Sequence, residues 1–588
     1  MDALEPQSLA HARPTPARLD DAVERAAAAL LGHQRADGHF AFELEADATI
    51  PAEYVLLEHY LDRIEPELEA KIAVYLRATQ GAHGGWPLFH DGAFDLSASV
   101  KAYFALKIIG DDPGAPHMAR ARAAIRAHGG AERSNVFTRA LLALFGQVPW
   151  RAVPVMPVEI MLLPRWFPFH LSKVSYWSRT VIVPLLVLMA ARPLARNPRA
   201  VGVAELFQTP PDQVRDWIRG PYRSNWGRFF KAVDLVLRAA QPCFPRRIRR
   251  RAIERAVGFV TERLNGEDGL GAIYPAMANT VMMFDAIGYR RDHPAAATAW
   301  DAVRKLLVVG KDRAYCQPCL SPVWDTGLAG HALAEADSAG APGVAAACHW
   351  LRGRQITDVV GDWAVARPGV PPGGWAFQYN NPHYPDVDDT AVVGMLLHRN
   401  GDPAHADAIE RARGWIVGMQ SKDGGWGAFD ADNTHHHLNH IPFADHGALL
   451  DPPTADVTAR CVSFLAELDR AHDRPVIDRA VAWLQREQEA DGSWFGRWGT
   501  NYIYGTWSVL VALNVAGLAH EDPAIRRAVD WLVSVQRADG GWGEDEETYA
   551  GAPHGRYKES TASQTAWALL GLIAAGEVGH PAVARGIA

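Results

Sequence analysis

Asp386-Val387-Asp388-Asp389-Thr390-Ala391 places three carboxylates within four positions, shortly after the aromatic run Trp375-Ala376-Phe377-Gln378-Tyr379. Ionised carboxylates this close repel, so burying the cluster favours keeping at least one proton on it. A protonated carboxyl beside aromatic faces can hand a proton to a weakly basic, apolar acceptor, and the rings can stabilise the cation that results. The plainer reading is a solvated or Ca2+-binding loop. Against calcium, the spacing lacks the Gly and the distal Glu of an EF-hand. Against simple solvation, an apolar stretch follows at 390–397, so Asp389 or Thr390 is expected to cap a buried helix with Asp388 at its entrance.

A second group spans 445–460 and includes Asp451-Pro452-Pro453, Asp456 and Arg460. Asp456 and Arg460 are four apart and can share a helix face; Arg460 is placed either near the triple-Asp cluster or in a plain surface pair. Aromatics at turns or among few charges add candidate lining: Trp324 in Ser321-Pro322-Val323-Trp324-Asp325-Thr326, then Phe377, Phe429, Trp498 and Tyr504. Cys316-x2-Cys319 has half of a zinc site's spacing and no second pair, so core cysteines are the better reading. His435-His436-His437, with His440 and His446, reads as a polar loop. No Ser elbow, P-loop or dinucleotide glycine pattern occurs.

The elements that must hold these residues are helices. The chain has 588 residues, too many for one ordinary core. Its net charge of -8 gives no electrostatic reason to expect nucleic acid. Five Cys make no disulfide framework, and the N-terminus shows no apolar signal region. The longest apolar run, 181–191, is about half a membrane span and reads as a buried helix.

Twenty Trp are resolved in part by a repeated phrase, Gln-x3-Gly-x-aromatic. It occurs at Gln34/Gly38/Phe40, Gln80/Gly84/Trp86, Gln420/Gly424/Trp426, Gln488/Gly492/Trp494 and Gln536/Gly540/Trp542, with degenerate copies near 265–271 and 373–375. Each clean copy follows an amphipathic stretch, so Gly ends a helix and allows the turn. The Gln amide is expected to bond backbone groups that the helix end leaves unpaired. Sustained alternation is lacking, which predicts an all-α array of helix pairs closing into two α/α barrel domains. The divisions are 1–30, packing on the second barrel, 31–308 and 309–588. The apolar stretch 226–237, followed by Arg246, Arg247, Arg249, Arg250 and Arg251, reads as a monotopic anchor facing anionic lipid.

Together, the Asp386–Ala391 motif, the Ser321–Thr326 segment, Glu53-Tyr54-Val55-Leu56-Leu57 and the Gln/Trp repeats resemble the squalene–hopene cyclases, bacterial triterpene cyclases of the terpene cyclase/mutase type. The resemblance runs from about residue 23 to the last. It implies two α/α barrels with an aromatic cavity between them. It implies that Asp388 protonates a terminal alkene of squalene, flanked by Asp386 and Asp389 and supported by Asp456 and Arg460. Trp324, Phe377, Gln378, Phe429, Trp498 and Tyr504 would line the cavity and stabilise cations; Trp177, Phe137 and Ile273 would shape its far end, and Glu53 the terminating region. Hopene, and hopanol by water capture, are the implied products, with no metal or organic cofactor. A homodimer, monotopic on the cytoplasmic membrane face, is implied as well.

Asn135 stands where some relatives have Arg, and Lys101 where some have Glu. Relatives also continue past the point that matches Ala588, into another Gln/Trp repeat and an aromatic tail, so a C-terminally incomplete second barrel is expected. Three other readings stand beside this one: a cyclase of another linear or partly cyclised polyprenoid, a glycan-acting α/α barrel with a wet polar cleft, and an inactive truncated homologue.

Overall fold

Apolar periodicity sorts the helices into two kinds. Some are buried on every side, as in the stretch Val387 to Leu397, where every residue is buried. Others bury one stripe only, such as Val476, Ile477, Ala480, Trp483 and Leu484. A fully apolar helix needs neighbours all round, whereas a striped one can close an outer layer. The computed structural model, which describes residues 16–217, 225–338, 342–444, 447–551 and 559–588, arranges them in that way.

The first half carries α1 (Pro16–Leu31), α2 (Thr49–Leu61), α3 (Pro66–Ala78), α4 (Leu96–Ile109), α5 (Pro116–Ala127), α6 (Val136–Leu144), α7 (Tyr176–Ala191), α8 (Asn225–Ala240), α9 (Arg246–Arg263), α10 (Tyr274–Ala286) and α11 (Pro294–Arg304). The second carries α12 (Pro322–Leu333), α13 (Pro342–Gly353), α14 (Val387–Asn400), α15 (Ala406–Met419), α16 (Ala455–Glu467), α17 (Arg474–Arg486), α18 (Tyr502–Val515), α19 (Pro523–Ser534), α20 (Ala562–Ala574) and α21 (Pro581–Ile587). Among the described residues the only strands are β1 (Leu307–Val309) and β2 (Ala314–Cys316), an antiparallel pair between the halves. The 181–191 run forms most of α7 and is buried along nearly all of it. Cys316 is buried in β2 and its thiol is free.

In the first ring α2 lies beside α4 and α10, and α10 beside α7. In the second, α12, α14, α16, α18 and α20 follow one another side by side. Each ring has its own apolar core, and each core borrows from the other half. Leu438, Phe443, Leu449 and Leu450 join the first core; Phe40 and Tyr176 join the second. Helix α1 packs against α12.

The glutamines staple the outer layer. Gln80 Nε2 donates to Gly84 O (2.7 Å) and to His117 O in α5 (2.9 Å). Gln488 does the same to Gly492 and Ala524, and Gln536 to Gly540 and Ala582. The acceptors are thus the turn and the start of the next outer helix, rather than the end of the glutamine's own helix as the sequence suggested. That helix end is met by the indole instead: Trp494 Nε1 donates to Leu484 O at 2.7 Å. Gly492 has a φ of +100°, and a Cβ there would meet Arg527 O at 2.6 Å. Only glycine admits both the turn and the close approach.

Candidate active site

Asp386 begins α14. Its backbone is extended (φ −94°, ψ 132°) and Oδ1 accepts from Asp388 N (2.7 Å) and Asp389 N (3.2 Å). The helix cap is therefore Asp386, not Asp389 or Thr390, because those two lie inside the first turn, whose N–H groups Asp386 already takes. Thr390 Oγ1 instead donates to Asp386 O and accepts from Trp375 N (2.9 Å), which ties the aromatic run to the carboxylates.

All three carboxyls are buried. Asp388 Oδ1 and Asp389 Oδ1 have no hydrogen-bond partner. Burial pushes the Asp388 carboxyl up to about 7; the Arg460 charge pulls against that and Asp456 adds to it. Burial and then the neighbouring carboxylates drive Asp386 and Asp389 well above the carboxylate range. The cluster holds protons because it is dry and because its charges repel.

Asp456 and Arg460 share α16 without pairing. Asp456 Oδ2 accepts from Arg497 N (2.9 Å) and Trp498 N (2.7 Å), so it fixes the loop that carries Trp498. Arg460 donates to Tyr504 Oη (2.9 Å). Its guanidinium stands 5.5 Å from the Trp324 ring, 5.6 Å from Tyr504 and 4.9 Å from Trp507. Of the two places expected for Arg460, a surface pair with Asp456 is not formed, whereas its charge does reach Asp388 and Asp389 from within an aromatic cage. Helical spacing brings two side chains to one face, but loop N–H groups and a phenol on α18 offered each a better partner.

Phe429, Trp177 and Trp498 form a cluster with ring centroids 5.6–6.0 Å apart. Tyr176 packs on Phe429 at 4.2 Å and on Tyr384 at 4.7 Å. Trp498 is 42% exposed, whereas Phe429 is buried. Asp451 accepts from the N–H groups of Ala428, Phe429 and Asp430 (2.7–3.2 Å), which sets the Phe429 backbone. Phe377 is half-buried and its carbonyl meets Val323 N at 3.4 Å. Gln378 is buried and accepts from Asn381 at 3.2 Å.

Trp177 also walls a cavity of about 320 Å3 in the first ring, together with Glu53, Phe137 and Ile273. These four expected far-end residues share one chamber. Its lining is mostly aliphatic, with Lys101 and Asn135 among the few polar groups. Lys101 Nζ pairs with Glu53 Oε1 at 2.7 Å, and Asn135 caps α6 by accepting from Thr138 N (2.9 Å). A second apolar cavity of about 380 Å3, walled by Phe167, Phe169, Phe230, Phe443 and others, shares Ile182 with the first. Phe137 and Phe443 meet edge to face at 5.7 Å where the two approach.

Sequence reading missed Trp507, Tyr176 and the clasp made by Asp451. Trp507 lies three residues after Tyr504 on α18, a spacing that could have flagged it. Tyr176 directly precedes Trp177. Asp445 and His446 lie outside the described residues. Among the described residues no group of three or more His, Cys, Asp or Glu could hold a metal ion.

The family models agree with this geometry. The squalene-hopene cyclase N-terminal domain matches residues 23–312 and the C-terminal domain matches 320–588. The chain belongs to the squalene–hopene cyclase family. It is 59% identical over 579 residues to the squalene-hopene cyclase of Schizosaccharomyces japonicus, covering 97% of this chain and 88% of that one. It is 60% identical to a probable squalene–hopene cyclase of Sinorhizobium fredii, covering 97% and 90%. With the Alicyclobacillus acidocaldarius squalene–hopene cyclase it shares 43% over 96% and 89%. The ent-copalyl diphosphate synthase of Streptomyces platensis has the same fold (TM-score 0.50, 18% identity, 96% and 92% covered). This cyclase-family chain is accordingly an enzyme with two α/α barrels.

Proposed function

We propose that the chain cyclises squalene to hopene, with some hopanol, and that Asp388 starts the reaction. One observation carries the proposal: a buried carboxyl, pushed up to about 7, with an oxygen that nothing else uses. The Asp388 O–H bond breaks as a C–H bond forms at the CH carbon of the terminal double bond, leaving a tertiary cation on its dimethyl-bearing neighbour. Each ring closure moves that charge inward. Protonating an alkene is steeply uphill in water, so the site must exclude water and stabilise positive charge as it forms.

Phe429 offers a π face for this, while Trp177 and Trp498, at its side, also stand 5.5 and 5.8 Å from the Arg497 guanidinium. Trp324 and Tyr504 already face the Arg460 guanidinium, so they hold that cation and shape the acid end. At the far end the cation loses a proton to give the alkene, or takes water to give the alcohol; Glu53 and Lys101 line that wall. The mostly aliphatic chamber favours a hydrocarbon over a sugar.

In D2O, incubation with squalene should yield pentacyclic products carrying one deuterium in a ring methylene of the first ring, at the carbon next to the one that bears the two methyl groups. Pentacyclic products without that label would remove the proton-start mechanism, and no pentacyclic product would remove the substrate.

The supply of such a substrate supports a monotopic position on the cytoplasmic face of the membrane. Among the described residues no helix is long and apolar enough to cross a bilayer. Helix α8, however, presents Trp226, Phe229, Leu235 and Val236 outward at 46–66% exposure. Its other side, through Phe230 and Val233, walls the 380 Å3 cavity. A lipid-facing helix would then open onto an apolar route inward. A homodimer, and a division at 1–30, 31–308 and 309–588, complete the proposal.

A further inference from the structure

Beside the apolar cavity under α8 lies a second pocket of about 450 Å3 with different chemistry. Ile160 and Leu171 wall both. Four arginines line this pocket: Arg165, Arg179, Arg255 and Arg263. Its three carboxylates are already taken. Asp362 is held by Arg263 (2.5 Å) and Arg179 (3.5 Å), Glu262 by Arg263 (2.7 Å), and Glu254 by Arg250 (3.6 Å). Among the described residues Arg165 and Arg255 form no ion pair. His170 also lines the pocket, and burial together with Arg165, Lys173 and Arg179 holds it below its usual value, which keeps the ring neutral.

We infer that this pocket binds the phosphodiester headgroup of an anionic phospholipid, with Arg165 and Arg255 as its ligands and the Ile160–Leu171 wall leading the acyl chains toward the apolar side. The inference rests on the membrane reading above. Guanidinium matches a phosphate monoanion in geometry and charge. The floor is built rather than incidental, because Arg179 is buried and anchored to both Asp362 and Asp430. The neighbouring Trp166 is 76% exposed, as suits a ring lying at headgroup depth. The pocket also has room: a Cβ added at Gly258, on its α9 wall, meets no atom within 4 Å.

Vesicle co-sedimentation of the full chain separates the possibilities. Adding phosphatidylglycerol to phosphatidylcholine vesicles should tighten binding of the wild type. The double variant R165Q/R255Q should lose about 30-fold of that gain, at roughly tenfold or less per arginine. G258L, which fills the pocket without changing charge, should lose most of it as well. Should R247Q/R251Q, a charge-matched pair elsewhere on α9, lose as much as R165Q/R255Q, a general basic surface would replace the pocket. Retained binding to neutral vesicles with no gain from phosphatidylglycerol would overturn the headgroup site and leave the membrane reading intact; binding to neither would remove both. Inorganic phosphate that displaces the lipid at millimolar concentration would assign the site to free phosphate instead.

Discussion

Two carboxyls, one in each ring, are held in opposite ways. Asp388, in the second ring, is buried and keeps an oxygen without a partner. Glu53, in the first ring, sits 2.7 Å from Lys101 Nζ. Both belong to helices that are buried over most of their length, so helix environment alone does not separate them. The separation comes from the nearest cation. At the acid end the available guanidinium, Arg460, is drawn off to Tyr504 and the rings of Trp324 and Trp507. Close enough to be felt by Asp388, it is engaged elsewhere. The lesson is that burial makes the proton donor where the nearest counter-charge, engaged elsewhere, offsets it only in part.

The sharpest challenge to that contrast is D388N. Turnover of squalene should fall by at least about 10^3-fold, because the amide has no proton to give. Its melting temperature should stay within about 2 °C of the wild type. An unchanged rate would move the donor elsewhere. The pH profile comes next. The acid form is the active one and the carboxyl lies at about 7, so turnover should decline about tenfold per unit as pH rises beyond 7. A rate that rises through that window would reverse the assignment.

K101M tests the far end. Without the ammonium the Glu53 carboxylate faces the terminal cation alone and takes its proton more readily. The alkene-to-alcohol ratio should rise by about threefold, the scale of one partly screened charge, with turnover little altered. The smallest effect is expected from E58Q. Glu58 lies further along α2, outside the chamber lining, buried with both oxygens unpartnered; burial raises it to about 8.

Its folded value exceeds its unfolded one, so it costs no stability below about 4.5, and stability is lost as pH rises toward 8. E58Q should therefore melt roughly 2 °C or more above the wild type at pH 8 and match it below 4.5. Product composition should not change. Burial alone would then raise a carboxyl anywhere, and only its placement would make it an acid catalyst.

Much of the frame was legible in the residues themselves. The Gln, Gly and aromatic spacing marked the turns, because each residue type solves a distinct local problem there. The degenerate copy at 373–375 hid only its glutamine. Gln355 donates to Gly373 O and Ala408 O (both 2.8 Å) as its counterparts do, but residues 356–372 intervene. The triple-Asp motif announced itself through charge density. What it bonded could not be read, since the clasps on Asp451 and Asp456 come from backbone N–H groups that carry no residue signature. The far-end chamber was likewise assembled from α2, α4, α6, α7 and α10, segments that only the folded ring brings together.

The exchange of residues between the two cores bears on how such a chain can be taken apart. Leu438, Phe443, Leu449 and Leu450 fill the first core from the far side of the sequence, while Phe40 and Tyr176 make the return trip. Severing the molecule near residue 310 would strand each hemisphere with vacancies only its sibling can plug. The halves should melt together, and neither should be recoverable as a free-standing module.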